Sequence, residues 1–267
     1  MRRCAEAQRA LFEADKTIAG RTVYEGIGVG GDNSLALDRR CEDIVFAELD
    51  KLAADAPEGF KAISEERGEV DFGDADSPWR VVIDPIDGSL NTRRTIPWHA
   101  LSVAVASGPT MADVEWGYVF EFGAGEEFVA RRGQGAWLDG RPLKAEGSGY
   151  GLEIVGLESA DPERIAPVMG ALAGQAYRVR VIGSIAITMC FVAAGRLDAM
   201  LSARDCRSVD AAAAQLIVRE AGGVVDFTGF GLARATLDLN ARYPVLAALD
   251  DEMLATVADA QTQAPRP

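Results

Sequence analysis

The chain has 267 residues and is 48% hydrophobic, which is enough to bury one large core or two joined ones. Its net charge of −14 argues against a nucleic-acid-binding surface, and it has no apolar run long enough to span a bilayer. Acids at Glu6 and Glu13 interrupt the N-terminal region, which therefore lacks the apolar core of a signal peptide. The four cysteines show no paired spacing and indicate free thiols. We therefore expect a cytoplasmic protein that binds neither nucleic acid nor a membrane.

The chain begins with a predicted helix that is followed by a glycine-rich segment. Residues 2–19 have the apolar spacing of an outer helix. The segment 26–31 matches the glycine pattern of a dinucleotide site, which requires a buried strand in front of it. Residues 21–25 make a poor buried strand, and Asp32 would oppose a pyrophosphate. We interpret the segment as a mobile loop.

Acidic residues occur in the next two predicted elements. A helix is predicted over residues 32–55, led in by Asn33 or Ser34, with Asp38 near its start. Surface exposure is the usual fate of such an aspartate.

A short predicted strand over residues 61–64 runs directly into Glu65 and Glu66. Adjacent acids at a strand end are usually solvated. The alternative is that one of them joins a cluster with Asp84 and Asp87, because strands that end at the same sheet edge bring their ends together.

The most informative stretch is residues 81–89. Residues 81–83 are β-branched and predict a buried strand, and Pro85 is expected to end its pairing because it has no amide hydrogen. Asp84 and Asp87 follow on the turn. A buried strand that ends in two acids is costly unless a cation binds there, and Mg²⁺ prefers such oxygen ligands. An ordinary Asp-Pro and Asp-Gly turn is the alternative.

Gly88 and Ser89 complete this stretch. Glycine lets an anionic ligand approach the backbone closely, and the two amides could hold a phosphate if a helix starts here. The segment therefore suggests a metal-assisted phosphate site.

Strands and a hairpin are predicted after this stretch. Residues 100–106 and 114–120 predict strands, and residues 126–138 predict a hairpin. His99 is the only histidine in the chain and is expected to be a packing residue. Without it no Ser-His-Asp or Cys-His arrangement can form, which argues against hydrolysis by a triad.

The segment 147–151 is the best boundary between two halves, residues 1–148 and 149–267. Strands and helices alternate beyond it, which indicates an α/β half. Asp210 lies at the start of a helix predicted over residues 208–221, where a carboxylate can simply complement the helix dipole.

Four places together resemble the inositol monophosphatase family, which is related to the fructose-1,6-bisphosphatases. The segments that carry the resemblance are 64–66, 84–89, 183–199 and 210–223. Residues 30–38 are closer to the archaeal-type branch, which handles both inositol phosphate and fructose bisphosphate. The resemblance covers nearly the whole chain in the same order.

The resemblance implies a layered αβαβα sandwich with the active site between an α+β first half and an α/β second half. It implies a site for two or three Mg²⁺ ions, which Mn²⁺ can replace. The first half carries most of the metal ligands, and the second half completes the site. The implied ligands are Glu65, Asp84, the Ile86 carbonyl, Asp87 and Asp210.

The same resemblance assigns the water-activating and phosphate-binding residues. Asp38 and Ser89 would orient and deprotonate the attacking water, and Asp87, Gly88 and Ser89 would bind the phosphate. On the second half, we expect Arg180 and the backbone of Gly183, Ser184 and Ile185 to complete the substrate pocket. The implied partner is a small phosphorylated sugar or polyol, and the implied assembly is a homodimer.

Three departures from the family pattern leave the substrate open. Ser89 replaces the usual threonine, Val209 replaces the usual tryptophan, and Ala203 lies where animal enzymes carry an acid that grips inositol hydroxyls. Inositol 1-phosphate and fructose 1,6-bisphosphate are the expected substrates. Histidinol phosphate, 3'-phosphoadenosine 5'-phosphate and NADP are alternatives.

Two rival functions remain at this point. An aspartyl phosphatase of the haloacid dehalogenase type needs its two acids two positions apart, whereas Asp84 and Asp87 are three apart. A catalytically inactive, metal-binding partner protein is the second rival. The presence of every expected ligand and of both water-activating residues argues against it.

Overall fold

Two large β-sheets alternate with three layers of helices in the computed structural model, which describes residues 1–27, 33–159 and 161–264. The helices in these residues are α1 (Arg2–Ala14), α2 (Ile18–Arg21), α3 (Ala36–Asp55), α4 (Ser89–Arg93), α5 (Pro162–Leu172), α6 (Ile185–Ala193), α7 (Ser208–Glu220) and α8 (Asp251–Gln261). A short 3₁₀ helix covers Met111–Asp113. None of the helices in the described residues combines the length and the apolar character needed to cross a bilayer.

The strands form one eight-stranded sheet, one five-stranded sheet and two small ribbons in the described part of the chain. The strands are β1 (Tyr24–Ile27), β2 (Asn33–Leu35), β3 (Phe60–Ser64), β4 (Gly68–Phe72), β5 (Arg80–Asp87), β6 (Ala100–Ala106), β7 (Val114–Glu121), β8 (Glu126–Arg131), β9 (Gly135–Leu138), β10 (Arg141–Leu143), β11 (Ile154–Glu158), β12 (Arg178–Arg180), β13 (Ala199–Ser202), β14 (Cys206–Arg207), β15 (Val224–Phe227), β16 (Arg242–Tyr243) and β17 (Val245–Ala248). The large sheet has the order β10-β9-β8-β7-β6-β5-β3-β4, and the smaller has the order β12-β11-β13-β17-β15. The ribbons are β1-β2 and β14-β16.

The alternation of side chains along β5 shows how the layers are held together. Val81 and Ile83 pack in a core with residues of α1 and α3, whereas Val82 packs in a different core with α6 and α7. A strand buried on both faces favours β-branched residues, which explains the apolar run. The five-stranded sheet packs on α6 and α7 with one face and on α5 and α8 with the other. The layer order is therefore αβαβα, which confirms the predicted fold class.

Most predicted elements are present, and some have nearly the predicted bounds. The strand predicted over residues 100–106 has the same bounds in the structure, and the strand predicted over residues 114–120 ends one residue later, at Glu121. All strands of the eight-stranded sheet precede the segment 147–151, and all strands of the five-stranded sheet follow it. The division into residues 1–148 and 149–267 stays a prediction.

Three expectations about local structure were wrong. The first helix ends at Ala14 rather than at residue 19, and a separate short helix follows it. The helix expected over residues 32–55 begins at Ala36, because residues 33–35 form a strand that pairs with β1. Pairing of β5 does not end at Pro85. It shifts register between Asp84 and Asp87 and resumes with Asp87 opposite Ala100.

The glycine-rich segment is only partly described. Its residues 28–31, and Asp32 after it, lie outside the described residues, so the loop interpretation stays a prediction. The four cysteines are buried and free, as their spacing indicated.

Candidate active site

Two neighbouring strand ends bring the first acidic residues together. β3 pairs with β5 in parallel, and the last pair is Ser64 opposite Ile83. Because parallel strands end at the same edge of a sheet, Glu65 after β3 and Asp84 on β5 line the same cleft. Asp84 is only 3% exposed, so its charge is held at the end of an apolar strand.

The shift of register along β5 re-aims the chain toward the same cleft. Asp84 Oδ1 accepts a hydrogen bond of 2.9 Å from the Ile86 amide, which fixes the turn around Pro85. The chain then passes through Gly88 at a φ of +94° and enters α4. A Cβ atom at Gly88 would lie 2.8 Å from the Trp98 carbonyl oxygen, so only glycine fits here. Gly88 and Ser89 both line the cleft.

The last acid comes from the second half of the chain. Asp210 lies in the first turn of α7, and its Oδ2 accepts a hydrogen bond of 2.9 Å from the Arg207 amide. The helix α7 packs against strands of both large sheets. Asp210 therefore reaches the cleft lined by Glu65, Asp84 and Asp87.

Burial and mutual repulsion raise the pKa values of these carboxyl groups. The pKa of Glu65 is raised to about 8, first by burial and then by the charges of Asp210 and Glu66. The pKa of Asp87 is also raised to about 8, by burial and by Asp210. Burial and the charges of Asp87 and Glu65 raise the pKa of Asp84 well above its usual value. Ionising all of these groups together requires nearby positive charge.

Arginines of the chain itself supply some positive charge. The Arg207 guanidinium forms an ion pair with Glu65, and both side chains are more than four-fifths buried. Arg207 and Arg242 lie near Asp210, in the cleft that also holds the carboxyl groups of Glu65, Asp84 and Asp87. In the described residues, no group of three or more His, Cys, Asp or Glu side chains is placed so that it could hold a metal ion.

The donor set nevertheless fits a hard divalent cation. All the clustered groups are carboxyl oxygens, which Mg²⁺ and Mn²⁺ prefer over softer ligands. Asp38 and Glu66 also line this cleft. Asp38 Oδ1 and Glu66 Oε2 are buried and have no hydrogen-bond partner among the described residues. Buried oxygens without a partner are costly, so this cleft favours a ligand that they can bind.

The second half fixes the orientation of Asp87. Ser184 Oγ and the Ala186 amide each donate a hydrogen bond of 2.6 Å to Asp87 Oδ2. Ser184 is 2% exposed and caps α6 through the Ile187 amide. It therefore lies behind Asp87, whereas Gly183 and Ile185 line the cleft.

Asp38 and Ser89 lie in the same cleft. Asp38 is 6% exposed in the first turn of α3, and its pKa is raised to about 7 by burial and by the charge of Glu66. Ser89 Oγ donates a hydrogen bond of 3.0 Å to the Ile86 carbonyl oxygen. That carbonyl, an expected metal ligand, thus also holds the serine hydroxyl in place.

The cleft has a volume of about 630 Å³ and has arginines on its wall. The structure brings together ten of the predicted positions, namely Asp38, Glu65, Asp84, Ile86, Asp87, Gly88, Ser89, Gly183, Ile185 and Asp210. Arg180 lies outside this lining. It is exposed on the edge strand β12, and its Nη1 donates to the Val179 carbonyl oxygen.

The model of the inositol monophosphatase family matches residues 4–264. The chain belongs to the inositol monophosphatase family. The predicted resemblance is thereby confirmed, and the chain is a phosphatase that hydrolyses phosphomonoesters. Members of the inositol monophosphatase family are generally metal-dependent.

Relatives of known name and structure agree with this membership. A fructose-1,6-bisphosphatase/inositol-1-monophosphatase of Thermococcus kodakarensis is 32% identical over 256 residues, which are 96% of this chain and 91% of the relative. An inositol-1-monophosphatase of Mesorhizobium japonicum is 33% identical over 205 residues, 73% of this chain and 72% of the relative. A solved inositol monophosphatase–fructose 1,6-bisphosphatase structure has a TM-score of 0.80 at 28% identity, covering 96% of this chain and 98% of that one.

Sequence reasoning missed the arginines that this member of the inositol monophosphatase family places in the cleft. They are Arg93, Arg204, Arg207 and Arg242. Arg204 and Arg207 lie directly upstream of Asp210, so their position in the sequence was a usable signal. Arg242 had none, because it reaches the cleft only through the pairing of β16 with β14, which sets it opposite Arg207.

Proposed function

We propose that this enzyme hydrolyses small sugar and polyol phosphates, including inositol 1-phosphate and fructose 1,6-bisphosphate, with Mg²⁺ as its cofactor. The observation that carries the proposal is the convergence of Glu65, Asp84, Asp87 and Asp210 in one cleft beside Asp38. Their raised pKa values indicate a site that is incomplete without added positive charge. Divalent cations that bind with a phosphate ester supply that positive charge, and the ester supplies the group to be cleaved.

The proposed metal ligands are the four carboxylates and the Ile86 carbonyl oxygen, for two or three Mg²⁺ ions that Mn²⁺ can replace. Bound there, these ions would neutralise the phosphate, lower the pKa of a bound water and stabilise the leaving oxygen. The four carboxylates come from both halves, so ion binding also joins the halves.

The chain's own residues perform the remaining steps. Asp38, with a pKa raised to about 7, is suited to take a proton from the attacking water near neutral pH. Ser89 orients that water through its hydroxyl, and the backbone at Gly88 leaves room for the phosphate oxygens. Water attacks in line with the leaving group, so no phosphorylated enzyme forms.

The walls of the cleft favour a substrate with more than one anionic or hydroxyl group. Arg204 and Arg242 line it on the side of the second half, and Arg180 lies on the edge strand that enters the turn at Gly183. An arginine fork suits a second phosphate or several sugar oxygens. The methyl side chain of Ala203 cannot accept a hydrogen bond from a ring hydroxyl, which predicts weak discrimination for inositol.

A phosphate-release screen with Mg²⁺ tests this proposal. We expect turnover of inositol 1-phosphate and fructose 1,6-bisphosphate above that of histidinol phosphate, 3'-phosphoadenosine 5'-phosphate and NADP. A preference for one of the latter three would correct the substrate. No turnover of any phosphomonoester would instead favour an inactive, metal-binding partner protein.

We also propose that two copies of the chain associate. Leu90, Ile96, Trp98 and Val181 line a single groove beside the cleft and are 39–59% exposed. A monomer rarely leaves such a patch uncovered. Light scattering should give a dimer for the wild type and a monomer for Trp98→Glu. A monomeric wild type would contradict the proposal.

We propose a cytoplasmic location on the basis of the cysteines. Cys4, Cys41, Cys190 and Cys206 are all buried free thiols, as in proteins of a reducing compartment. Fractionation of cells that produce the full-length protein tests the location.

A further inference from the structure

A buried glutamate at the end of β11 lies behind the turn that supports Asp87. Glu158 is 1% exposed. Its Oε1 accepts hydrogen bonds from the Ile182 amide at 3.1 Å and from Thr188 Oγ1 at 2.6 Å. Its Oε2 accepts one from the Gly183 amide at 2.9 Å. Both oxygens are therefore used to hold the turn that begins α6.

The same turn is tied to the first half of the chain. Asn91 Nδ2 donates a hydrogen bond of 2.7 Å to the Ile182 carbonyl oxygen. Gly183 has a φ of +83°, and a Cβ atom there would lie 3.0 Å from Asn91 Nδ2. The turn is therefore held on one side by Glu158 and on the other by Asn91, in a backbone conformation that favours glycine.

The C-terminal end of the turn contacts Asp87 in the cleft. Ser184 Oγ and the Ala186 amide both donate to Asp87 Oδ2, which leaves Asp87 Oδ1 to face other partners. A shift of the turn would move both donors together. The orientation of the Asp87 carboxylate therefore depends on the contacts that fix residues 182–184.

Each oxygen of Glu158 accepts a hydrogen bond from one backbone amide, that of Ile182 at Oε1 and that of Gly183 at Oε2. The Thr188 hydroxyl also lies 2.6 Å from Oε1, but its single hydrogen can be donated either there or to the Ser184 carbonyl oxygen at 2.8 Å. A glutamine has one acceptor oxygen, and its NH₂ group would face an amide hydrogen that then lacks an acceptor. The isosteric change Glu158→Gln therefore loosens the turn without changing its volume.

We propose that Glu158 is a positioning residue, which fixes the turn 182–184 and through it the Asp87 carboxylate in the geometry that binds a divalent cation. This role rests on the proposed function, because the proposed function assigns Asp87 as a metal ligand. Glu158 lies outside the lining of the cleft. Outer-shell partners of metal ligands typically change metal affinity by about 10- to 100-fold when they are removed.

The chain offers a matched control at Glu121. This glutamate also ends a strand, is 2% exposed, and accepts hydrogen bonds of 2.6 Å from two amides of the following turn, Gly123 and Ala124. It lies outside the lining of the cleft. Glu121→Gln therefore removes buried hydrogen bonds of the same kind as Glu158→Gln, but at a place distant from the proposed metal ligands.

The experiment is a titration of the full-length protein with Mn²⁺, in which free Mn²⁺ is measured by electron paramagnetic resonance. We expect Glu158→Gln to bind Mn²⁺ roughly 10-fold more weakly than the wild type. Glu121→Gln should bind it within about twofold of wild type, although both variants have a lower melting temperature. In an activity assay, Glu158→Gln should need a Mn²⁺ concentration higher by the same factor to reach half-maximal activity. At saturating Mn²⁺ it should recover most of the wild-type kcat.

A second variant covers the case in which Glu158→Gln does not fold. Thr188→Val removes the hydroxyl, which lies within hydrogen-bond distance of Glu158 Oε1 and of the Ser184 carbonyl oxygen, and keeps a β-branched side chain of similar volume in α6. It should weaken Mn²⁺ binding by a smaller factor than Glu158→Gln. Wild-type Mn²⁺ affinity in Glu158→Gln, or in Thr188→Val if the former is unfolded, would overturn the positioning role alone. No Mn²⁺ binding by the wild type would overturn the proposed metal site and the positioning role with it.

Discussion

Ser184 Oγ donates a hydrogen bond of 2.6 Å to Asp87 Oδ2, although the two residues lie in different halves of the chain. The same hydroxyl oxygen accepts a hydrogen bond of 3.2 Å from the Ile187 amide and so caps α6. One side chain therefore defines both the start of a helix in the second half and the direction of an acid in the first. The helix α6 and the end of β5 cannot move independently while this contact holds.

This shared hydroxyl predicts a double effect of Ser184→Ala. We expect a loss of about 1–3 kcal/mol in the free energy of unfolding, from the lost cap and the lost hydrogen bond. We also expect a smaller stabilisation by Mg²⁺, because Asp87 keeps only the Ala186 donor. Denaturant unfolding in EDTA and in Mg²⁺ measures both. Asp161→Ala, which removes the exposed cap of α5, should lose about 1 kcal/mol and keep the full Mg²⁺ increment.

The acidic cluster predicts an absolute requirement for Mg²⁺ or Mn²⁺. Asp84→Asn and Asp210→Asn keep the hydrogen bonds made to the Ile86 and Arg207 amides but remove a negative charge each. Activity should fall by more than about 100-fold, beyond the usual cost of losing an outer-shell partner. Phosphate release in EDTA, and in each variant with Mg²⁺, checks this. Full activity in EDTA or in either variant would contradict the proposed metal site.

The raised pKa values predict opposite pH effects with and without metal. Glu65 and Asp87 have pKa values near 8, above their usual values of 4.5 and 3.8. Between those values the folded state binds more protons than the unfolded state, so the metal-free protein should lose stability as the pH rises from about 4 to about 8. Metal ions need the ionised carboxylates, so stabilisation by Mg²⁺ should grow with pH. At about 100 times Kd it should reach about 2.7 kcal/mol, roughly 5–10 °C in Tm.

Thermal unfolding in EDTA and in Mg²⁺ at pH 5.5 and pH 8 checks this pair of trends. A metal increment that is the same at both pH values would mean that these carboxyl groups do not bind the ion.

Asp38 is expected to act as the base, because its Oδ1 is buried beside the cleft and has no hydrogen-bond partner among the described residues. Asp38→Asn should fold and bind metal but lower kcat by roughly two to four orders of magnitude. The wild-type rate should fall as the pH drops below the Asp38 pKa near 7, and the variant should lack this dependence. Ser89→Ala should lose less, since water can partly replace the hydroxyl. An unchanged kcat in Asp38→Asn would make Asp38 a structural residue.

The central strand and its acids were predictable because their signal is local. A β-branched run from Val81 to Ile83 needs burial, and Asp84 and Asp87 follow it directly, so one short segment indicates both the strand and its chemistry. The start of α3 was not predictable in this way. Asn33 and Ser34 are favourable helix caps, but pairing of residues 33–35 with β1 overrides that local preference.

The supporting residues of the site were missed for a different reason. Glu158 is one more acid at a strand end in the sequence, and its role appears only when the turn at Gly183 folds back onto it. Arg242 likewise enters the cleft through a two-residue ribbon, β14-β16, that no sequence pattern marks. Contacts between distant segments therefore set the outer parts of the site, whereas the strand ends set its centre.

The arginines predict which residue selects a bisphosphate. Arg204 lines the cleft, whereas Arg180 is exposed on the edge strand with Nη1 on the Val179 carbonyl oxygen. We therefore expect Arg204→Ala to lower kcat/KM for fructose 1,6-bisphosphate and to spare inositol 1-phosphate. The lost transition-state stabilisation should be about 1.5–3 kcal/mol, the range for a charged hydrogen bond. Arg180→Ala should have the smaller effect, and Arg178→Ala, on the same edge strand, controls for the lost charge. A decrease in kcat/KM for the bisphosphate alone in Arg180→Ala would instead place the second phosphate over the turn at Gly183. A variant that loses kcat/KM equally on both substrates would show that its arginine does not select the bisphosphate.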